Sequence, residues 1–177
     1  MTREGESTSV PTVITAENAG KGAAVMNDLT QPILIRIATR EDLPAVLDLY
    51  QQAGLDRDGG MTPQEAGVVF MRFSTYPSYK LYVACFGDKV VGTFALLIMD
   101  NLAHHGTPSG IVEDVAVDPD TQGRGIGKAM MRFARDICRN KGCYKLSLTS
   151  NQLREGAHAF YEAIGLERHG YSFRVTP

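Results

Sequence analysis

The apolar positions of the 177-residue chain switch between two rhythms, period two and period three to four, and the switches lay out an element order. "PILIRIA" at 32–38 reads as a strand. Thr39 then caps a helix whose apolar face is Leu43, Val46, Leu47 and Tyr50, closed near Gly54. A second helix start lies in "TPQE" at 62–65, with Thr at the cap, Pro at the first helical position and Glu three residues after the cap. "KLYVACF" and "VVGTFALLIM" flank "GDK", which predicts a hairpin. "SGIVEDVAV" at 109–117 is a further strand, followed by a glycine-rich turn. Met130, Met131, Phe133, Ala134, Ile137 and Cys138 recur at helical spacing, and Gly142 ends that helix before the strand "YKLSLTS". A short helix in "EGAHAFYEAIG" and a last strand near "YSFRV" complete the pattern. Hairpins in the first half and a strand–helix–strand crossover in the second predict an α/β (α+β) domain with a central mixed sheet flanked by helices.

Residues 1–30 are rich in Ser, Thr, Gly and Ala without sustained periodicity and read as a disordered leader, with Met26 as a candidate start and 31–177 as the domain. Lys plus Arg number 18 against 20 for Asp plus Glu, so no positive field holds a nucleic acid, and none is expected as partner. Cys85, Cys138 and Cys143 form neither a CxxC pair nor a metal-ligand spacing, so no metal is expected and a reducing, cytoplasmic setting is. No apolar run is long enough to span a bilayer, and the start lacks a signal-peptide core, so no membrane partner is expected.

The chemistry concentrates in "EDVAVDPDTQGRGIGKAM". A strand runs through a turn at Asp118-Pro119-Asp120 into Gln122-Gly123-Arg124-Gly125-Ile126-Gly127-Lys128 at a helix start. Glycines free backbone N–H groups to converge on an anion that the helix N-terminus also attracts, and Arg124 and Lys128 add charge. A diphosphate suits such a turn. The Walker pattern fails because it needs glycine at Gln122 and Ser or Thr at Ala129, which disfavours a nucleotide hydrolase. The dinucleotide fingerprint fails because its third glycine falls on Lys128.

What remains is Q/R-x-x-G-x-G, met by Gln122, Gly125 and Gly127, and here the chain resembles the GNAT superfamily of acetyl-CoA-dependent N-acetyltransferases. "AHAFYEAIGLERHGYSF" is similar to that family's later A-x-x-F/Y-Y-x-x-x-G-F segment, with Tyr161 at the tyrosine and Leu166 in place of Phe. The resemblance implies acetyl-CoA as co-substrate, seated on Gln122, Gly123, Arg124, Gly125, Ile126, Gly127 and Lys128. It also implies oxyanion and pantetheine contacts from the main chain of Val115, Ala116 and Val117. Asn151, after the strand "KLSLT", would lie beside the cofactor in that fold. The family's usual Asn position, seven before the tyrosine, is Arg154 here, a candidate for a CoA phosphate or an anionic substrate.

Acetyl transfer to an amine needs a proton acceptor, because an alkylammonium has a pKa of about 10. Glu113 stands where relatives often carry a base, and strand alternation places it with Ile111, Val115 and Val117, with Asp114 opposite. A structural ion pair is its alternative role. Tyr161 occupies the position of the acid that assists the departing thiolate, its alternative being a packing tyrosine. His104 and His105 are expected near the acceptor mouth, as loop residues. The acceptor is expected to be a small-molecule primary amine, anionic ones included, with self-association into a homodimer left open. A protein or peptide amine is the second reading, and a non-catalytic acyl-CoA-binding regulatory module the third.

Overall fold

The computed structural model describes residues 13–14, 32–56 and 59–176. The expectation of a leader over 1–30 falls almost wholly outside them. Within the described residues a sheet runs in the order β1 (Val13–Ile14), β2 (Ile33–Ile37), β3 (Tyr79–Phe86), β4 (Lys89–Met99), β5 (Ser109–Val117) and β6 (Lys145–Leu148). Neighbours pair antiparallel except β5 and β6, which are parallel. The helices are α1 (Leu43–Gln52), α2 (Pro63–Phe73), α3 (Ile126–Asn140) and α4 (Glu155–Ala163). This is the mixed α/β architecture expected from the sequence.

Helices cover both faces of the sheet. On one face, Leu43 and Val46 of α1 and Ala66 of α2 pack against Leu81, Val83, Cys85 and Ala95. On the other, Ile126, Met130, Met131, Ala134 and Cys138 of α3 close over Ile35, Phe94, Leu96 and Val112, with Phe160 and Tyr161 of α4 at the margin. Phe94, Ile35, Leu96 and Met130 are at most 2% exposed, and each such side chain contributes about 1.5–3 kcal/mol of transfer free energy. The layers sit close enough to fix small residues: a Cβ on Gly92 would come within 2.6 Å of Met130 Sδ.

Local signals act as the sequence predicts. Gly87 and Asp88 form the two-residue turn between β3 and β4, with Gly87 at φ +52°. The Thr62 main-chain N–H donates to Glu65 Oε2 at 2.8 Å and the Glu65 N–H to Thr62 Oγ1, which opens α2. Thr39 opens a short 3-10 turn, Arg40–Asp42, before α1. Asp42 accepts from Thr39 N–H at 2.7 Å and takes both terminal nitrogens of Arg36, which holds its carboxyl below the usual range.

The expected last strand does not form: residues 170–176 belong to no regular element. Tyr171, Phe173 and Val175 alternate as a strand would, yet they are 92%, 91% and 87% exposed. Alternation describes one face of a strand and supplies no neighbouring edge to pair with.

Candidate active site

Asp118 fixes the turn that leads out of β5. Its side chain accepts from Lys89 Nζ at 2.7 Å and from the Asp120 N–H at 3.0 Å, and its carbonyl accepts from Thr121 Oγ1 at 2.9 Å. The Lys89 ammonium holds the Asp118 carboxyl below its ordinary value. From this anchor the chain passes through Gly123 and Gly125 at φ +77° and +81°, conformations that side chains rarely adopt, and enters α3. The N–H groups of Gly123, Gly125, Ile126, Gly127 and Lys128 donate to no main-chain acceptor among the described residues, whereas Ala129 N–H closes the first helical bond onto Gly125. Gln122, Gly123, Arg124, Gly125 and Lys128 are exposed, and Ile126 is buried in the core. A diphosphate therefore fits a turn rich in free donors at a helix N-terminus. Gly127 has a different reason: a Cβ there would stand 3.0 Å from Phe160, so its smallness seats α4 against α3.

The pairing of β4 with β5 slips in the middle of β5. Ala95 faces Glu113 and Thr93 faces Ala116, so Asp114 and Val115 together oppose Phe94. Asp114 is the extra residue, at φ +52°. The bulge shifts the alternation by one, which corrects the expected placement of Glu113 with Val115 and Val117. Val115 and Val117 turn onto the α3 layer. Glu113 and Asp114 both face the α1–α2 side, where Asp114 acts on Tyr50 and both carboxylates act on Tyr79. Burial pushes the Glu113 carboxyl up, and the Asp114 charge pushes it further. Asp114 is raised by burial and then by Asp56. No cation of the described residues lies within ion-pair distance of either carboxylate.

Beyond the pairing of Val112 with Leu148, β5 and β6 part. The gap opens into a cavity of about 710 Å³ that Glu113, Asp114, Val115, Asn151, Arg154 and Tyr161 all line. Tyr161 reaches it from the α4 side, opposite to Glu113. Its hydroxyl bonds to no group of the described residues, and its pKa is raised by burial against a smaller opposing effect of Arg154. Ala116 is buried in β5, Val117 is half-buried against the α3 layer, and neither lines this cavity. Asn151 uses its Oδ1 to accept from Leu153 N–H at 2.9 Å, which leaves its amide donors uncommitted. Arg154 bridges to the end of α1, donating to the Ala53 carbonyl at 3.0 Å.

His104 and His105 lie elsewhere. His104 stacks on Tyr144 at a centroid distance of 4.1 Å, beside the first β5–β6 pair, Ser109 and Lys145, at the opposite end of those strands from the cavity. The expected place near an acceptor mouth is corrected: a nine-residue connection between Met99 and Ser109 gave no sign of which strand end it covers. The sequence reading also passed over Arg174, which enters the cavity from the chain's last segment, and Asp114, whose exposure to the site depends on the bulge.

The Acetyltransferase (GNAT) family model matches residues 43–166, a stretch that holds the turn, the bulged strand and Tyr161. The chain belongs to the GNAT family of acetyltransferases. It is similar to a glucosamine 6-phosphate N-acetyltransferase of Trypanosoma brucei brucei, 34% identical over 63% of this chain and 68% of that one. It is also similar to an aminoalkylphosphonate N-acetyltransferase of Salmonella typhimurium, 28% identical over 55% of this chain and 62% of that one. A solved structure from Agrobacterium tumefaciens str. C58, assigned as an acetyltransferase, superposes with a TM-score of 0.75. It is 34% identical and covers 81% of this chain and 99% of its own. Among the described residues of the GNAT chain no helix is long and apolar enough to cross a membrane, and no group of three or more His, Cys, Asp or Glu could hold a metal.

Proposed function

We propose that this GNAT chain moves an acetyl group from acetyl-CoA to the primary amine of a small molecule by direct attack within a ternary complex. One observation carries the reading. Glu113 and Tyr161 line one cavity from opposite faces of the sheet, and neither side chain is committed to a partner among the described residues. Acetyl-CoA supplies an activated acyl carbon and a thiolate leaving group. The uncommitted N–H groups between Gly123 and Lys128, with Arg124 and Lys128, suit its diphosphate. The gap between β5 and β6, with Val115 on one side and Asn151 on the other, suits the pantetheine arm.

In this reading Glu113 takes the proton that the ammonium loses, directly or through one water. Its raised pKa brings it nearer the amine's than an ordinary carboxylate's would be. Tyr161 gives its proton to the departing sulfur and recovers one from solvent. The free thiols of Cys85, Cys138 and Cys143 fit a cytoplasmic setting. The relatives that act on glucosamine 6-phosphate and aminoalkylphosphonates support a small acceptor over a protein one.

Acetyl-CoA-dependent thiol release, followed over a panel of amino sugars, aminoalkyl compounds, polyamines and a lysine peptide, tests the proposal. Release with one class of small amine is the expected result. Tight acetyl-CoA binding with no release over the whole panel would replace the enzyme by a binding module, and release with the peptide alone would move the acceptor to proteins.

A further inference from the structure

The cavity between β5 and β6 carries opposite charges on its two sides. Glu113 and Asp114 stand on β5, and Asp56, after α1, is close enough to raise the Asp114 pKa. Arg154 enters from the start of α4 and Arg174 from the segment after it. Four carboxylate–cation pairs occur among the described residues, and none includes Arg154, Arg174, Glu113 or Asp114. Arg154 commits one N–H, to the Ala53 carbonyl, and keeps the rest of its guanidinium donors. Arg174 makes no hydrogen bond to the protein among those of the described residues. The cavity thus gathers guanidinium groups and carboxylates and holds them too far apart to neutralise one another.

From this separation we infer that the acceptor is a bipolar molecule: a primary amine that also carries a phosphate, phosphonate or carboxylate group, its anion held by Arg154 and Arg174. The inference rests on the proposed acetyl transfer for the amine end and on the cavity for the anion end. A guanidinium matches a carboxylate or a phosphoryl oxygen pair with parallel N–H donors, which a lysine cannot do. Two guanidinium groups drawn to one hollow repel until an anion joins them. The ammonium end faces the carboxylates, where Glu113 can take its proton. The diphosphate turn at Gly123–Lys128 lies at the start of α3, whereas Arg154 opens α4 and bonds to the carbonyl after the end of α1. The two anion sites are therefore distinct, and losing one leaves the other.

Matched pairs of amines test the inference: glucosamine 6-phosphate against glucosamine, and 2-aminoethylphosphonate against ethanolamine, with glycine as the carboxylate arm. In the wild type kcat/KM should favour the anionic member of at least one pair by about tenfold or more. Arg174→Gln, an exposed change outside any helix or strand, should raise KM for that member by about tenfold and leave the neutral member and the acetyl-CoA Kd unchanged. Arg154→Gln should raise KM for the anionic member likewise, and Arg154→Lys should restore only part. Calorimetric binding of 2-aminoethylphosphonate and of glucosamine 6-phosphate to the CoA-bound protein reads the anion site without turnover. Binding that both variants lose, in a wild type that acetylates nothing, would sustain the anion site and sink the transfer reading. A wild type that prefers the neutral amines, or variants that lose both members of a pair equally, would overturn the inference.

Discussion

Glu113 and Asp114 are consecutive in the chain and face the same side of the sheet, because Asp114 takes the left-handed conformation at φ +52° in a bulge of β5. Burial raises both carboxyls, and a neighbouring charge raises each further: Asp114 acts on Glu113, and Asp56 acts on Asp114. A folded-state pKa above the unfolded one means that stability is complete at low pH and declines as pH rises through the folded value. Glu113→Gln should therefore stabilise the fold at pH 7 by on the order of 0.5 kcal/mol, and Asp114→Asn by less, because solvent screens the exposed Asp114, and both should leave it unchanged near pH 3. Asparagine also tolerates the left-handed conformation. Urea unfolding at both pH values checks this, and a loss of stability at pH 7 would show that the carboxylates hold the bulge together.

For the same Glu113→Gln variant, the rate should fall most at pH values where the amine is protonated. Acetyl-CoA affinity should stay unchanged. If kcat/KM keeps its pH profile, Glu113 is not the proton acceptor.

The glycines of the turn separate into two kinds. Gly125→Asp brings a negative charge to the open seat and forces a side chain into φ +81°, so acetyl-CoA affinity should fall by about a hundredfold or more. Gly127→Ala meets Phe160 at 3.0 Å and should cost stability, about 1 kcal/mol, with a smaller effect on affinity. Equal losses of affinity in the two variants would contradict the division.

Most of the fold was legible, since periodicity and caps are local: Thr62, Glu65, Gly87 and Gly142 act within a few residues of themselves. The site was legible where a motif is contiguous, as from Gln122 to Lys128. The bulge was not, because it depends on the register of β4 against β5, and with it went the true face of Asp114 and of Val115. The last segment failed for a related reason. Tyr171, Phe173 and Val175 alternate, but a strand needs a partner, and Arg174 came to the cavity from a stretch with no regular structure.

Asp118 ties the turn to β4 through Lys89, and its pKa is lowered. A folded pKa below the unfolded one stabilises above the unfolded value and is lost as pH falls through the folded one. Asp118→Ala should cost about 1–2 kcal/mol at pH 7, lose that difference as pH falls through the folded Asp118 value, and weaken acetyl-CoA binding through a loosened turn. Thermal scans across pH check it. A pH-independent loss would point to packing instead.

Tyr161 lines the cavity, and its hydroxyl bonds to no group of the described residues. Tyr161→Phe removes that hydroxyl and keeps the ring that packs beside Phe160 at 5.2 Å. Measuring kcat and the unfolding midpoint on one preparation of the variant is the sharpest test. With Tyr161 as the proton donor, kcat should fall by about a hundredfold while acetyl-CoA affinity and the midpoint hold. A variant with full kcat would contradict the account, whatever its stability.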